Sequence, residues 1–393
     1  MKAREISPGI EWMGAIDWDR KLFDELIPLP DGTSYNAYLV RGSEKTALID
    51  TADPAKSDTL LAQLADVARV DYLIIQHVEQ DHSGSASLIL EKYPDVQIFS
   101  SPKAVPMIAD HLGIPEDKIK AVEDDETLSL GNWTFEFIHA PWVHWPETML
   151  TYLREEKVLF TCDLFGSHLA TDDLFSEDGS RVCEAAKRYY AEIMMPFSTL
   201  IKGHLEKLNS LDIEIIAPSH GPVHNKPAWI LDAYYHWTYD QPKNLVLIPY
   251  TSMHGSTALM VEHMNEALNE RSIHACSFNM SKTDLGEYAI RLVDAATVLF
   301  ATPTVLVGPH PNIMFTAYLT AALRPKLQNA AVIGSYGWAG KAAEKTKALC
   351  GNLKAEWMEP VFSKGLPTQE TYDALDKLAD EIAVRHQGLK SGE

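Results

Sequence analysis

The stretch Gln76-His77-Val78-Glu79-Gln80-Asp81-His82 directly follows the apolar run Tyr72-Leu73-Ile74-Ile75. The run is typical of a buried strand, so four potential metal ligands within six residues stand at its carboxyl end. Because alternate residues of an extended chain point the same way, we expect His77, Glu79 and Asp81 on one side of a loop, without a helix. A charged loop with a histidine is also common as a solvated surface, so this stretch alone leaves both interpretations open.

Three further candidate ligands follow other strand-like segments. His144 comes after the strand-like residues 134–138, Asp163 follows residues 158–162, and His220 ends residues 213–219. Each of these segments is apolar or β-branched enough to predict a strand. The repeated placement of a ligand-type side chain at a strand end favours a metal site over a solvated loop.

This succession of strand-end ligands resembles the signature of the metallo-β-lactamase superfamily. That signature has a His-x-His-x-Asp-His loop, a later His, a bridging Asp and a final His around two metals. In this sequence Glu79 stands where the signature has its second histidine. A carboxylate in place of an imidazole makes the site harder and more anionic, which suits iron better than the zinc of the hydrolases. The pattern His-x-Glu-x-Asp-His is similar to that of the flavodiiron proteins.

The resemblance to the flavodiiron proteins extends over essentially the whole chain, and it implies a site with two iron ions. Asp163 would be the bridge between them. The other implied ligands are His77, Glu79 and His144 on one iron and Asp81, His82 and His220 on the other. In this family the position of His82 also occurs turned away from the metal and replaced by water.

Length, charge and the amino terminus limit the possible functions. A chain of 393 residues is longer than one typical domain and predicts two. No apolar stretch approaches the ~20 residues of a membrane-spanning helix, and the amino terminus leads into no signal core, so we expect a cytoplasmic protein without a membrane segment. The net charge of −21 lies mostly before Leu245, since the residues from there onward contribute −2. Such an acidic surface argues against nucleic acid as a partner.

The cysteines argue against a second type of metal site. Cys162, Cys183, Cys276 and Cys350 are widely spaced and form no Cys-x-x-Cys pair, so we expect neither a zinc ribbon nor a rubredoxin-type iron site. We expect all four to be buried free thiols. Alternation along the strand predicts that Cys162 points away from the side of Asp163.

The first part of the chain mixes strands and helices, whereas the second alternates them regularly. Residues 1–243 are predicted to form a metallo-β-lactamase-like αβ/βα sandwich, in which the helical region 181–209 carries an aromatic stripe interpreted as packing. Strands predicted at residues 245–248, 274–278, 297–301, 331–334 and 355–360 alternate with helices. This alternation predicts an α/β domain at 244–393 with a flavodoxin-like doubly wound parallel sheet.

Three predicted loops at the carboxyl ends of those strands are candidates for binding FMN, because doubly wound sheets bind ligands at that edge. The first resembles the flavodoxin phosphate loop, with hydroxyls at a helix start, and the other two would flank the flavin ring. Each loop alone is an ordinary turn; three in register predict a flavin site. The predicted contacts are Thr251, Ser252, Met253, Gly255, Ser256 and Thr257 in the first, Thr302, Pro303 and Thr304 in the second, and Ser335, Tyr336, Gly337, Trp338 and Gly340 in the third.

The family resemblance implies reduction of O2 to water, of NO to N2O, or of both, with electrons supplied through FMN. It also implies a head-to-tail homodimer or a dimer of dimers, with a rubredoxin-like donor or reduced coenzyme F420. Two alternatives stay open on the residues alone. One is a di-zinc hydrolase of the metallo-β-lactamase type with a flavodoxin domain, and the other is a non-catalytic FMN electron carrier.

Overall fold

The computed structural model describes residues 2–176, 179–338 and 340–391. By their internal contacts these residues form two compact units. The first unit runs through Tyr190 and resumes from Phe197 to Thr238, and the second contains Ala191–Pro196 and begins again at Tyr239. The domain boundary after residue 243 stays a prediction.

Two main β-sheets form the frame of the first unit. Its strands are β1 Arg4–Ser7, β2 Ile10–Trp12, β3 Ala15–Asp17, β4 Leu22–Phe23, β5 Ile27–Pro28, β6 Thr33–Tyr35, β7 Tyr38–Arg41, β8 Thr46–Ile49, β9 Tyr72–Ile74, β10 Gln97–Ser100, β11 Ile119–Ala121, β12 Thr127–Ser129, β13 Thr134–His139, β14 Met149–Leu153, β15 Val158–Cys162 and β16 Ile215–Pro218. One sheet has the order β1-β2-β7-β8-β9-β10-β11 and the other has the order β12-β13-β14-β15-β16; β3 pairs with β6, and β4 with β5. The neighbours β8, β9, β10 and β11 are parallel, as are β15 and β16, so several carboxyl ends share an edge.

Side-chain alternation on β9 explains how the first sheet is covered on both faces. Leu73 lies in a core shared with Leu60 and Ile89 of the flanking helices. Ile74 points to the other face and packs in a core shared with Phe137 of the second sheet. This is the arrangement of an αβ/βα sandwich. The helices of the unit are α1 Ser57–Gln63, α2 Gln80–Ser83, α3 Ala86–Lys92, α4 Ala104–Leu112, α5 Ser180–Tyr189, α6 Ser198–Leu208 and α7 Ala228–Tyr239.

The second unit is a parallel sheet with alternating helices. Its strands are β17 Lys243–Tyr250, β18 His274–Asn279, β19 Ala295–Val305, β20 Gly308–Pro309, β21 Asn329–Tyr336, β22 Glu356–Trp357 and β23 Val361–Lys364, and its helices are α8 Ser256–Glu270, α9 Leu285–Leu292, α10 Pro311–Ala322, α11 Ala342–Leu349 and α12 Gln369–Arg385. The order β18-β17-β19-β21, with β22 and β23 sharing the last position, is the flavodoxin order. The predicted fold class is therefore confirmed. Within the described ranges, no helix combines the length and apolar character needed to cross a membrane.

Candidate metal and flavin sites

The seven predicted metal ligands lie where strands of the first unit end. They are His77 and Glu79 after β9, Asp81 and His82 in α2, His144 between β13 and β14, Asp163 after β15, and His220 after β16. All are buried except His144, whose side chain is 13% exposed. The structure therefore brings together residues from four separate segments of the sequence, 77–82, 144, 163 and 220.

One set of ligand-type atoms comes from His77, Glu79, His144 and Asp163, and these atoms lie within 4.8 Å of one another. Glu79 Oε2 is 3.1 Å from His77 Nε2 and 3.1 Å from His144 Nε2. Asp163 Oδ2 is 3.6 Å from each of the same two nitrogens. Two imidazoles and two carboxylates at these separations can surround one metal ion.

A second set is formed by Asp81, His82 and His220, again within 4.8 Å. His220 Nε2 is 3.3 Å from Asp81 Oδ2, and His82 Nε2 is 3.4 Å from Asp81 Oδ1. The prediction that Asp81 shares one side of a loop with His77 and Glu79 is wrong. The chain turns into α2 at Gln80, and helical geometry directs Asp81 and His82 toward the second set.

Asp163 lies between the two sets. Its Oδ1 is 3.0 Å from His82 Nε2 and 3.4 Å from His220 Nε2, while its Oδ2 faces the first set. Each carboxylate oxygen is thus directed at a different pair of histidines. This is the arrangement that a bridging carboxylate requires.

The histidines and carboxylates of the site shift one another's pKa values. Burial alone would lower the pKa of His220, but the neighbouring carboxylates of Asp163 and Asp81 raise that pKa to about 10. Burial would raise the pKa of Asp163, yet the charge of His82 and the hydrogen bond from His220 hold it well below its usual range. Protons on the imidazoles therefore balance the carboxylates. A bound metal cation would take over this role and release those protons.

The residues fit metal ions for a further reason. Both carboxylate oxygens of Asp81 and both ring nitrogens of His82 are buried, and none makes a hydrogen bond with the described residues. Buried polar atoms are ordinarily satisfied, because an unpaired one costs roughly 1–3 kcal/mol. Metal coordination would satisfy Asp81 and His82 at Nε2 without any rearrangement of the chain.

The first predicted flavin loop lies between β17 and α8. Gly255 precedes the helix with a φ of 94°, a conformation that favours glycine. Ser252 Oγ accepts a hydrogen bond from the backbone N–H of Ala258, and the hydroxyls of Thr257 and Ser335 are hydrogen-bonded at 3.1 Å. The loop is therefore joined to the end of β21, which carries the third predicted loop.

The second predicted loop is in part a strand, so this prediction is corrected. Thr302, Pro303 and Thr304 all lie within β19, which continues to Val305 and turns back into β20. The turn residue Leu306 is 93% exposed. Pairing of β19 with both β20 and β21 extends the strand beyond the apolar segment that the sequence pattern predicts.

A cavity of about 400 Å³ lies beside the ends of β19 and β21. Thr304, Tyr336 and Gly340 line it, and a Cβ on Gly340 would come within 2.9 Å of Thr304 Oγ1. The buried hydroxyls of Thr251 and Thr304 have no hydrogen-bond partner among the described residues. Two unsatisfied hydroxyls and a glycine-lined cavity fit a polar, planar ligand such as FMN.

Several of the predicted flavin contacts do not line this cavity. Ser335 and Tyr336 are the last residues of β21, and Ser256 opens α8. Met253, Gly337 and Trp338 are exposed, with Trp338 at 89%. For all fourteen predicted contacts, a role in flavin binding stays a prediction.

Comparison with known proteins agrees with this architecture. A family model described as ODP family beta lactamase matches residues 33–221. The chain is 34% identical to the nitric oxide reductase of Moorella thermoacetica, over 97% of this chain and 98% of the relative. The rubredoxin oxygen:oxidoreductase of Desulfovibrio gigas superposes with a TM-score of 0.94 at 30% identity, covering 98% of both chains. A variant of the flavo di-iron protein from Thermotoga maritima superposes with a TM-score of 0.86 at 25% identity, covering 97% of this chain and 98% of the other.

The chain belongs to the flavodiiron protein family. The resemblance predicted from the ligand pattern is therefore confirmed, together with the sandwich and flavodoxin-like folds.

Cys162 of this flavodiiron protein does not point away from Asp163, and that prediction is wrong. Its Sγ is 3.8 Å from Asp163 Oδ2, and the ligand-type atoms of His82, Cys162 and Asp163 lie within 4.8 Å of one another. Cys162 has a φ of 49°, which breaks the alternation of the strand. Burial and the negative charge of Asp163 raise the pKa of this thiol, so a protonated thiol neighbours the site.

Two of the other cysteines depart from the prediction of four buried thiols. Cys350 is buried, but Cys183 is exposed and Cys276 is half-buried. All four cysteines are free. The exposed position of Cys183 follows from its place on the outer side of the amphipathic helix α5.

Two residues of the flavodiiron site are missing from the ligand prediction. Glu147, fully buried, accepts a hydrogen bond from His77 Nδ1 at 2.7 Å. Tyr189, interpreted from the sequence as packing, donates its hydroxyl to Asp163 Oδ1 at 3.0 Å. The only sequence feature that could have indicated Glu147 as part of the site is its position three residues after His144. The helical stripe around Tyr189 contains no feature that indicates a contact with Asp163.

The tryptophans near the ligands have different surroundings. Trp145 places its ring edge-on to His77, with ring centroids 5.0 Å apart. Trp142 is exposed and stacks on Phe197 at 6.3 Å. Trp145 therefore packs against a residue of the first set of ligands, whereas Trp142 packs at the surface.

Proposed function

We propose that this chain is a flavodiiron oxidoreductase that reduces O2 to water, NO to N2O, or both, with electrons supplied through FMN. The observation that carries the proposal is the position of Asp163, whose two oxygens face two separate sets of histidine and carboxylate ligands. The second unit, with its flavodoxin strand order, supports the flavin half of the proposal. The names nitric oxide reductase and rubredoxin oxygen:oxidoreductase of two relatives support the reaction.

The seven clustered residues are proposed as the iron ligands. Asp163 would bridge the two ions. The remaining assignments are His77, Glu79 and His144 to one iron and Asp81, His82 and His220 to the other. His82 Nε2 is 3.0 Å from Asp163 Oδ1, which supports His82 as a ligand and not as a residue turned away.

When bound, the iron pair and FMN would supply a gas-binding centre and a store for two electrons. The protein residues orient the site and control its protons. His220 Nδ1 donates a hydrogen bond to the carbonyl of Ser34 at 2.7 Å, which directs Nε2 into the site. Burial and the charge of Asp163 raise the pKa of Tyr189 well above its usual value. The Tyr189 hydroxyl therefore stays protonated and donates a hydrogen bond to Asp163 Oδ1.

We assign the flavin to residues 244–393 and the iron pair to residues 1–243. The FMN phosphate would be held by the hydroxyl-rich loop 251–257 at the start of α8, where backbone N–H groups favour an anion. The ring would lie beside the ends of β19 and β21, where the free hydroxyl of Thr304 lines the cavity.

The electron donor and the location are also proposals. A rubredoxin-type donor is supported by the name of the Desulfovibrio gigas relative, and reduced coenzyme F420 is the alternative donor. A donor with an acidic surface would meet less electrostatic repulsion on the second unit, because residues from Leu245 onward contribute only −2 of the net charge of −21. Free cysteines are compatible with a cytoplasmic location.

Metal and flavin analysis followed by gas consumption tests the proposal. Protein purified without added metal is expected to be yellow and to contain about one FMN and two irons per chain. After anaerobic reduction with rubredoxin as donor, parallel electrode traces should show consumption of O2, NO or both. A protein with two zinc ions and no flavin would instead be a hydrolase, and a protein with FMN but without gas consumption would be an electron carrier.

We further propose that electrons pass between the subunits of a head-to-tail homodimer, alone or as a dimer of dimers. Each candidate site is built within one unit, and two-fold pairing is the commonest way to join identical chains. Mixing an Asp163→Asn variant with a variant that carries Ser256→Asp and Thr257→Asp tests this arrangement. After dissociation and reassociation, a heterodimer would pair one intact flavin site with one intact iron site.

Activity in the reassociated mixture is the expected result. Each variant taken alone through the same dissociation and reassociation is the control and should stay inactive. If electrons instead pass within one chain, every chain has one damaged site and the mixture should stay inactive as well.

A further inference from the structure

Glu147 is a buried carboxylate outside the seven proposed ligands. It is 2% exposed, and its Oε1 accepts hydrogen bonds from His77 Nδ1 at 2.7 Å and from the backbone N–H of Val78 at 3.0 Å. Its Oε2 is buried and accepts no hydrogen bond from the described residues. The charge of Glu147 is therefore compensated mainly through His77.

Glu147 also connects the two loops that carry the first set of ligands. It lies three residues after His144, and its backbone carbonyl accepts a hydrogen bond from Ser101 Oγ at 2.6 Å. Its side chain reaches the loop of His77 and Glu79 through the two bonds to Oε1. Glu147 therefore links the segment that carries His144 to the segment that carries His77 and Glu79.

Among the described residues, no carboxylate accepts a hydrogen bond from the Nδ1 of either histidine of the second set. His220 Nδ1 donates to a neutral carbonyl, that of Ser34, at 2.7 Å. His82 Nδ1 has no hydrogen-bond partner in the described part of the chain. The two sets thus differ in the charge of the group that supports the imidazole, although both share Asp163.

We propose that Glu147 is a positioning residue that makes the two metal positions unequal, so that the ion held by His77, Glu79 and His144 is bound more tightly than the ion held by Asp81, His82 and His220. A carboxylate that accepts the N–H of a metal-bound imidazole fixes the ring and increases the basicity of the other nitrogen. Only the first position has such a carboxylate among the described residues. The inference rests on the proposed di-iron function.

Release of iron to a chelator measures this difference without any activity assay. The intact protein, with FMN and iron, is mixed anaerobically with excess ferrous chelator, and the coloured complex is followed with time. The wild type is expected to release its iron in two phases of equal amplitude, the slow phase from the His77 position. Glu147→Gln keeps the shape of the side chain and an acceptor oxygen but removes the charge.

In Glu147→Gln the slow phase should become roughly tenfold faster, and in Glu147→Ala up to about 100-fold faster, the range expected when a group behind a metal ligand is lost. The fast phase should change by less than about twofold, because the second set does not contact Glu147. The amplitude of the fast phase, whose proposed ligands belong to the same unit as Glu147, checks that this unit is folded in each variant. If Glu147→Ala does not fold, Glu147→Gln carries the test alone.

Asp50→Asn is the matched control. Asp50 is another buried carboxylate, which accepts hydrogen bonds from the backbone N–H and the amide of Gln76 and from Ser219 Oγ. Within the described ranges no hydrogen bond joins Asp50 to a proposed ligand, and its charge acts on both His82 of the second set and His77 of the first. The ratio of its two release rates should stay as in the wild type. The inference is overturned if the wild type releases both irons in one phase, if Glu147→Gln leaves the slow phase unchanged, or if Asp50→Asn alters the ratio equally. A wild type that binds no iron would instead refute the proposed function.

Discussion

Asp163→Asn is expected to abolish gas reduction and to reduce the iron content of the protein, while leaving FMN bound. One oxygen of Asp163 faces His82 and His220 and the other faces His77 and His144. Asparagine replaces one oxygen with an amide nitrogen that cannot bind metal, and it removes the negative charge. The rate of gas consumption should fall by more than the roughly 100-fold that is expected when a hydrogen bond supporting a metal ligand is removed.

The measurements for Asp163→Asn are iron per chain, flavin absorbance and the rate of gas consumption. Asp95→Asn is the control, because Asp95 is exposed and distant in sequence from every proposed ligand. Two irons and full turnover in Asp163→Asn would show that Asp163 is not the bridge. Loss of FMN together with iron would indicate general unfolding and not a local effect on the metal site.

Changing Ser256 and Thr257 together to aspartate should give the reciprocal result, a colourless protein that still contains iron. Both residues lie in the first turn of α8, where the FMN phosphate is proposed to bind, and Thr257 is joined to Ser335 by a hydrogen bond. Two added negative charges would repel a phosphate. Repulsion of about 3 kcal/mol or more would weaken FMN binding by about 100-fold or more.

Flavin absorbance of the purified variant, and titration of the apoprotein with FMN, check this expectation. Thr257→Ser is the matched control, since it retains the hydroxyl and should retain the yellow colour. A yellow double variant with unchanged FMN affinity would place the phosphate elsewhere. Because the proposed iron ligands belong to the other unit, iron content should equal that of the wild type.

The candidate ligands could be predicted from the sequence because each follows a strand with a strong local pattern. The apolar run before Gln76 predicts a buried strand, and side chains just beyond such a strand lie at the edge of a sheet. The regular alternation of strands and helices after residue 243 likewise predicts a doubly wound sheet. These features depend on residues close together in the sequence, so they can be predicted without knowledge of the tertiary structure.

The sorting of the ligands into two sets was implied by the family resemblance, but it could not be predicted from local sequence patterns. Local alternation places Asp81 with His77, but the helix α2 begins at Gln80 and turns Asp81 toward His220. Cys162 is brought toward Asp163 by a left-handed backbone conformation that no pattern of apolar residues indicates.

The amino-acid sequence by itself determined which residue types stand at strand ends, the two kinds of sheet, and the exchange of histidine for Glu79. Only the tertiary structure decided that the oxygens of Asp163 face different histidines, that Glu147 accepts a hydrogen bond from His77, and that Tyr189 donates one to Asp163. The physical reason is the range of the interactions. Backbone periodicity acts over a few residues, whereas a hydrogen bond such as that between Tyr189 and Asp163 depends on how distant segments fold against one another.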